Sequence, residues 1–145
     1  MDKLHPWSQK SVLIVDDSPK VLAQLSSLYE QAGMIVIGKA TNGVEAIDMI
    51  RKTPPDLVSL DIIMPEMNGL ECYRFIQTTW PGTKCLFISR LASELDVVES
   101  FKEEIAGHLF LPKPASIGNL ENRLGRIFCE ERAPRPEDGE TVLIP

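Results

Sequence analysis

Five short apolar runs recur along the chain, and each is followed within two residues by a polar side chain. Ser11-Val-Leu-Ile-Val15 (β1) stops at Asp16-Asp17 and Met34-Ile-Val-Ile-Gly38 (β2) is the second run. Leu57-Val-Ser-Leu60 (β3) stops at Asp61, Cys85-Leu-Phe-Ile88 (β4) at Ser89, and His108-Leu-Phe-Leu111 (β5) leads to Lys113. Strands this short, with little alternation, suit a parallel sheet covered on both faces. The segments between them have helical spacing. In α1, from Pro19 to Ala32, residues Val21, Leu25, Leu28, Tyr29 and Ala32 share one face, with Ser18 before Pro19 as the start and Gly33 as the stop. Asn42 caps α2, Glu45 reaches back to it, and the helix runs to Lys52 before Pro54-Pro55. Gly69 to Thr79 is α3, closed by the turn Trp80-Pro81-Gly82; Ser93 to Ile105 is α4, and Ser116 to Phe128 is α5. Right-handed β–α–β crossovers then give an α/β fold, a doubly wound five-stranded parallel sheet with helices on both faces.

At 145 residues the chain is long enough for one domain. Residues 1–9 read as an N-terminal arm, 10–129 as the domain, and 130–145 as an acidic, proline-containing tail. That tail carries five acids against two arginines, half of the chain's net charge of −6, and its composition predicts disorder. An acidic chain without a basic run is not built to bind nucleic acid through phosphates. No apolar run exceeds four residues, too short to span a membrane, and Met1 to Lys10 contains no apolar core of a secretory signal. Three widely spaced cysteines, Cys72, Cys85 and Cys129, match neither a disulfide framework nor a zinc spacing, so a reducing, cytoplasmic setting is expected.

In open α/β sheets ligands sit beyond the carboxyl ends of the strands. Asp16, Asp17, Asp61, Ser89 and Lys113 all fall there. Three crowded carboxylates repel one another, and a hard divalent cation such as Mg²⁺ relieves the repulsion. The lysine and the hydroxyl add donors for an anion, which together makes a phosphoryl site, and a carboxylate can itself be the nucleophile. Taken singly each residue has a plainer explanation. Acids favour a helix N-terminus, and hydroxyls at strand ends usually close turns.

Taken in order, Asp16-Asp17, Asp61 with Met64-Pro65-Glu66-Met67-Asn68-Gly69 behind it, Ser89 and Lys113-Pro114 resemble the receiver domain of two-component response regulators, in its stand-alone chemotaxis-type form. The similarity covers about residues 10 to 129. It implies a flavodoxin-like sheet of order 2-1-3-4-5. It also implies that Asp61 is the phosphoacceptor, supplied by a histidine kinase or phosphotransfer protein or by small acyl phosphates. Asp17, Asp61 and the backbone carbonyl of Ile63 would ligate Mg²⁺, with Asp16 acting mostly through water. Lys113 would pair with the phosphoryl oxygens across a cis bond to Pro114. Ser89 would swing to the phosphoryl group and let Phe110 turn inward, coupling the site to the α4–β5–α5 face, where a downstream protein binds. A donor would dock near Lys20, Val21 and Pro114 to Ser116.

Ile63 and Leu91 are apolar where the family often has polar residues, Arg90 is large where a small residue is usual, and Phe110 lacks the commoner tyrosine hydroxyl. The implied function is a single-domain response regulator, monomeric or weakly dimeric, with no enzyme activity beyond its own phosphorylation and dephosphorylation. The alternative is a receiver-like binding module that works without phosphate. An aspartyl phosphohydrolase is disfavoured because Asp16-Asp17-Ser18 lacks its second acid, and a dinucleotide site because no Gly-x-Gly-x-x-Gly follows β1.

Overall fold

A computed structural model describes residues 4–64, 66–90, 99 and 104–129. Five parallel strands lie in the order β2-β1-β3-β4-β5, as the resemblance implied. β1 (Ser11–Val15), β3 (Leu57–Leu60) and α3 (Gly69–Thr79) have the bounds read from the sequence. α1 covers Pro19–Gln31, α2 Gly43–Lys52, β4 Lys84–Ser89 and α5 Ile117–Cys129. The expected caps are in place: Ser18 Oγ accepts from Val21 N–H, and Asn42 Oδ1 from Glu45 N–H at 2.8 Å. Glu45 Oε1 accepts from Thr41 N–H rather than from the cap itself, and the reciprocal capping box is instead built by Asn68 and Glu71 on α3.

Alternate residues of the central strands feed two cores. Val12 and Ile14 face α1 and α5, packing with Leu25, Tyr29, Leu120 and Leu124, whereas Leu13 and Val15 face α2 and α3, packing with Ile47, Ile50, Cys72 and Ile76. Cys72 and Cys85 are buried and Cys129 is exposed. Burial pushes the Cys72 thiol up to about 12, so it stays protonated and inert at neutral pH.

Three expectations change. β2 spans Ile35–Ala40, shifted toward its C-terminus, because it is an edge strand that alternates in exposure rather than a fully buried run. β5 covers only Phe110–Pro112; His108, expected to open it, lies in a 3₁₀ turn over Gly107–Leu109. The third change concerns the N-terminal arm, whose Trp7 is only 5% exposed. Its indole N–H donates to Ala32 O at 2.8 Å, its ring stacks on His5 at 4.2 Å, and it belongs to the α1–α5 core. The segment is held there because an indole buries a large apolar area once its N–H has a partner. Expected α4 lies outside the described residues apart from Glu99, and at its expected end Glu104 and Ile105 are in a turn, with Ile105 buried. The tail from residue 130 also lies outside them.

Candidate functional site

The carboxyl ends of β1, β3, β4 and β5 open on the same edge of the sheet. Asp16 follows β1, and its N–H continues the ladder to Ala40 O. Its Oδ1 accepts from Ser18 N–H at 2.9 Å, a local turn that also sets the cap of α1. Its Oδ2 pairs with Lys113 Nζ at 2.6 Å. Only 1% of Asp16 is exposed. Burial raises its pKa above the ordinary value, and the bonds to Lys113 and Ser18 N–H offset this only in part.

Asp61 extends β3, with its N–H donating to Val15 O. Its Oδ1 accepts from Ile62 N–H at 2.8 Å and its Oδ2 pairs with Lys113 Nζ at 3.2 Å. Lys113 therefore bridges two carboxylates with one ammonium. The lysine is itself positioned by its N–H donating to Ser89 O, and its bond to Pro114 is cis. Asp17 is the exposed member of the trio. One oxygen from each of Asp16, Asp17 and Asp61 lies within 4.8 Å of the others. A set of oxygen donors carrying this much negative charge fits a hard divalent cation, and no softer ligand is among them.

The loop behind Asp61 is shaped by Gly69. A Cβ there would lie 2.0 Å from the Asp61 carbonyl oxygen, so the first turn of α3 rests directly against the backbone of the phosphoacceptor candidate. Gly69 N–H donates back to Ile62 O at 2.9 Å and closes the loop. Met64 is buried, while the Ile63 side chain points into solvent, 62% exposed.

Two cavities flank the cluster. The smaller, about 350 Å³, is bounded by Asp17, Asp61, Ile63, Ser89, Arg90 and Lys113. The larger, about 610 Å³, shares Asp17, Asp61, Arg90 and Lys113 and continues along α1 past Val21, Gln24 and Leu28 to Pro114 and Ala115. Every site residue expected from the sequence is thus at this edge except Phe110. That ring lies inward in this conformation, buried and stacked on Phe87 at 5.3 Å. Of the expected donor-docking residues, Val21, Pro114 and Ala115 line the larger cavity, and Lys20 and Ser116 do not. Gln24 and Leu28 were missed; they follow Val21 at helical spacing, and that periodicity is the signal that could have found them.

These features define a class. The sequence profile of the response regulator receiver domain matches residues 12–125, and the chain belongs to that family. Among relatives, the chemotaxis protein CheY of Thermotoga maritima is 34% identical over 118 residues, which are 81% of this chain and 97% of that protein. A protein-glutamate methylesterase/protein-glutamine glutaminase of Hahella chejuensis is 42% identical over 104 residues, but these are 71% of this chain and only 30% of that longer protein. Its named activity does not follow from so partial a match. Among solved structures, the CheX-CheY-BeF3-Mg complex of Borrelia burgdorferi includes a chain with a TM-score of 0.70 and 29% identity, covering 81% of this chain and 87% of that one. No helix among the described residues is long and apolar enough to cross a membrane.

Proposed function

We propose that the protein is a phosphoaspartate switch in which Asp61 accepts a phosphoryl group and the domain signals by binding another protein. The observation that carries this reading is Lys113 Nζ bridging Asp16 and Asp61 beside the exposed Asp17. Asp61 attacks phosphorus, an Asp61 Oδ–P bond forms, and the bond to the donor's imidazole nitrogen or acyl oxygen breaks with its electron pair. Asp17, Asp61 and the Ile63 carbonyl are the groups that would hold Mg²⁺. When bound, that ion supplies charge neutralisation between the acids and the incoming phosphoryl oxygens. Lys113, already within reach of Asp61 Oδ2, exchanges a carboxylate oxygen for a phosphoryl oxygen without a long movement. The Ser89 hydroxyl, at the wall of the smaller cavity, is the group that hydrogen-bonds the new phosphoryl group.

The donor, a histidine kinase or phosphotransfer protein, docks along α1 and the β5–α5 loop. Support comes from the apolar wall of Val21, Leu25 and Leu28, which leads from the protein surface to Asp61. Output is placed on the α4–β5–α5 face, with Phe87–Phe110 stacking as the packed element between β4 and β5. A cytoplasmic setting accords with buried, protonated Cys72 and Cys85.

The test is intact mass after incubation with acetyl phosphate, with and without Mg²⁺. We expect one metal-dependent phosphoryl adduct on the wild type and none on Asp61→Asn. No adduct under any condition would replace this reading with that of a phosphorylation-independent binding module.

Metal binding should be almost silent in intrinsic fluorescence. Of the two tryptophans, Trp7 is packed in the α1–α5 core and Trp80 lies against Phe75, both apart from the acid cluster. A Mg²⁺ titration is expected to leave tryptophan emission nearly unchanged, and a strong quench would contradict the position of Trp80.

A further inference from the structure

Asp61 is a nucleophile set in an unfavourable field for its own reaction. Asp16, Asp17 and Asp61 bring three carboxylates to within 4.8 Å, and among the described residues Lys113 is the ammonium paired with them, through Asp16 and Asp61. An incoming phosphoryl donor is itself an anion. Arg90 stands where it can act on that imbalance. It immediately follows Ser89 at the end of β4 and lines both the 350 Å³ cavity and the 610 Å³ cavity. Of the four residues common to the two cavities, Asp17, Asp61 and Lys113 belong to the acid–lysine cluster, and Arg90 is the fourth. A small donor that reaches Asp61 from the α1 side enters the larger cavity, whose lining holds both Asp61 and Arg90.

We propose that Arg90 is a specificity-determining residue of the phosphoacceptor site, whose guanidinium pairs with the phosphoryl oxygens of small, doubly charged donors as they pass from the larger cavity to Asp61. This inference rests on the phosphoaspartate reading above. A guanidinium is permanently charged, and its planar fork matches two phosphoryl oxygens at once, a geometry an ammonium cannot copy. With acetyl phosphate the Asp61 Oδ–P bond forms as the P–O bond to acetate breaks, and acetate leaves with the electron pair and needs no proton. With phosphoramidate the P–N bond breaks and an already protonated nitrogen leaves as ammonia. At neutral pH the first donor is doubly charged and the second carries a single net charge, so a cation in the lining shared by the two cavities favours the first over the second.

The experiment compares second-order rate constants for Asp61 phosphorylation by the two donors, followed by intact mass at fixed Mg²⁺, for the wild type, Arg90→Ala and Arg90→Lys. Loss of a charge-assisted pair predicts that Arg90→Ala slows acetyl phosphate about tenfold and phosphoramidate about threefold or less. The selectivity ratio therefore falls, and Arg90→Lys recovers part of it because charge is kept while the fork is lost. Equal slowing of both donors would assign Arg90 a packing role and overturn the inference, as would no change. Faster reaction of Arg90→Ala, or an adduct seen only in that variant, would make the side chain an obstruction and overturn it too. If neither donor labels the wild type or any variant, the phosphoaspartate reading itself fails, an outcome distinct from all of these.

Discussion

Replacing Gly69 with alanine is expected to lower stability by about 2–3 kcal/mol and to slow phosphorylation of Asp61 by about a hundredfold. The new Cβ would lie 2.0 Å from the Asp61 carbonyl oxygen, 2.9 Å from its carbonyl carbon and 3.0 Å from Ile62 Cα. All three are backbone atoms, so no side chain can swing away. Either the first turn of α3 or the end of β3 must move. If β3 moves, the Asp61 carboxylate leaves its position between Ile62 N–H and Lys113. If α3 moves, the loop that carries the Ile63 carbonyl opens. Gly118→Ala is the control, since nothing lies within 4 Å of a Cβ there and the site is inside α5. It should gain less than about 1 kcal/mol, the full interior helix preference of alanine over glycine, because it is the second residue of α5. Thermal melting of both variants, together with adduct formation from acetyl phosphate, decides the matter. A Gly69→Ala protein that melts and reacts like the wild type would mean that the contact between α3 and β3 is looser than described.

Trp7→Ala is expected to cost about 3–5 kcal/mol, the range for emptying a large aromatic site in a core. For a chain of this size that corresponds to a fall in melting temperature of roughly 10–20 °C. The indole is 5% exposed, lies 3.5 Å from where a Cβ on Gly125 of α5 would stand, and is the hydrogen-bond donor to Ala32 O at the end of α1. Its removal leaves a cavity between two helices and strips a carbonyl of its partner. Trp7→Phe keeps most of the apolar area and loses only the donor, so it should recover more than half of the stability. Deleting residues 1–9 should be as damaging as Trp7→Ala. A deletion that melts with the wild type would restore the view of this segment as a detached arm.

The contrast between these two sites shows what a sequence can and cannot carry. The bounds of β1, β3 and α3 were legible because each is marked by a local change: an apolar run that stops at an acid, or a glycine and a cap that start a helix. The candidate site was legible for the same reason, since its residues lie at or just beyond the carboxyl ends of β1, β3, β4 and β5. The burial of Trp7 was not, because it depends on Ala32 and Gly125 being brought together by two helices far apart in the chain. Nor was the turn at Gly107–Leu109: His108-Leu-Phe-Leu111 has the composition of a strand, and Leu109 N–H bonding to Ala106 O makes its first part a 3₁₀ turn. The partner of Phe110 was hidden too, since its ring stacks on Phe87 of the neighbouring strand, 23 positions away in the chain.

The strand order has a kinetic corollary. β1 lies between β2 and β3, and its first residue is clasped by Asp56, whose carboxylate accepts from Ser11 N–H across a separation of 45 residues. Each strand pairs in parallel, so each pairing waits for an intervening crossover, and loop closure must be completed before the contacts it allows can form. Asp16, Asp61 and Lys113 come from three such strands and meet only when the sheet has closed from β1 through β5. The site is consequently a late product of folding, and on the ribosome it is assembled only after the codons for β5 have been translated and that strand has left the exit tunnel.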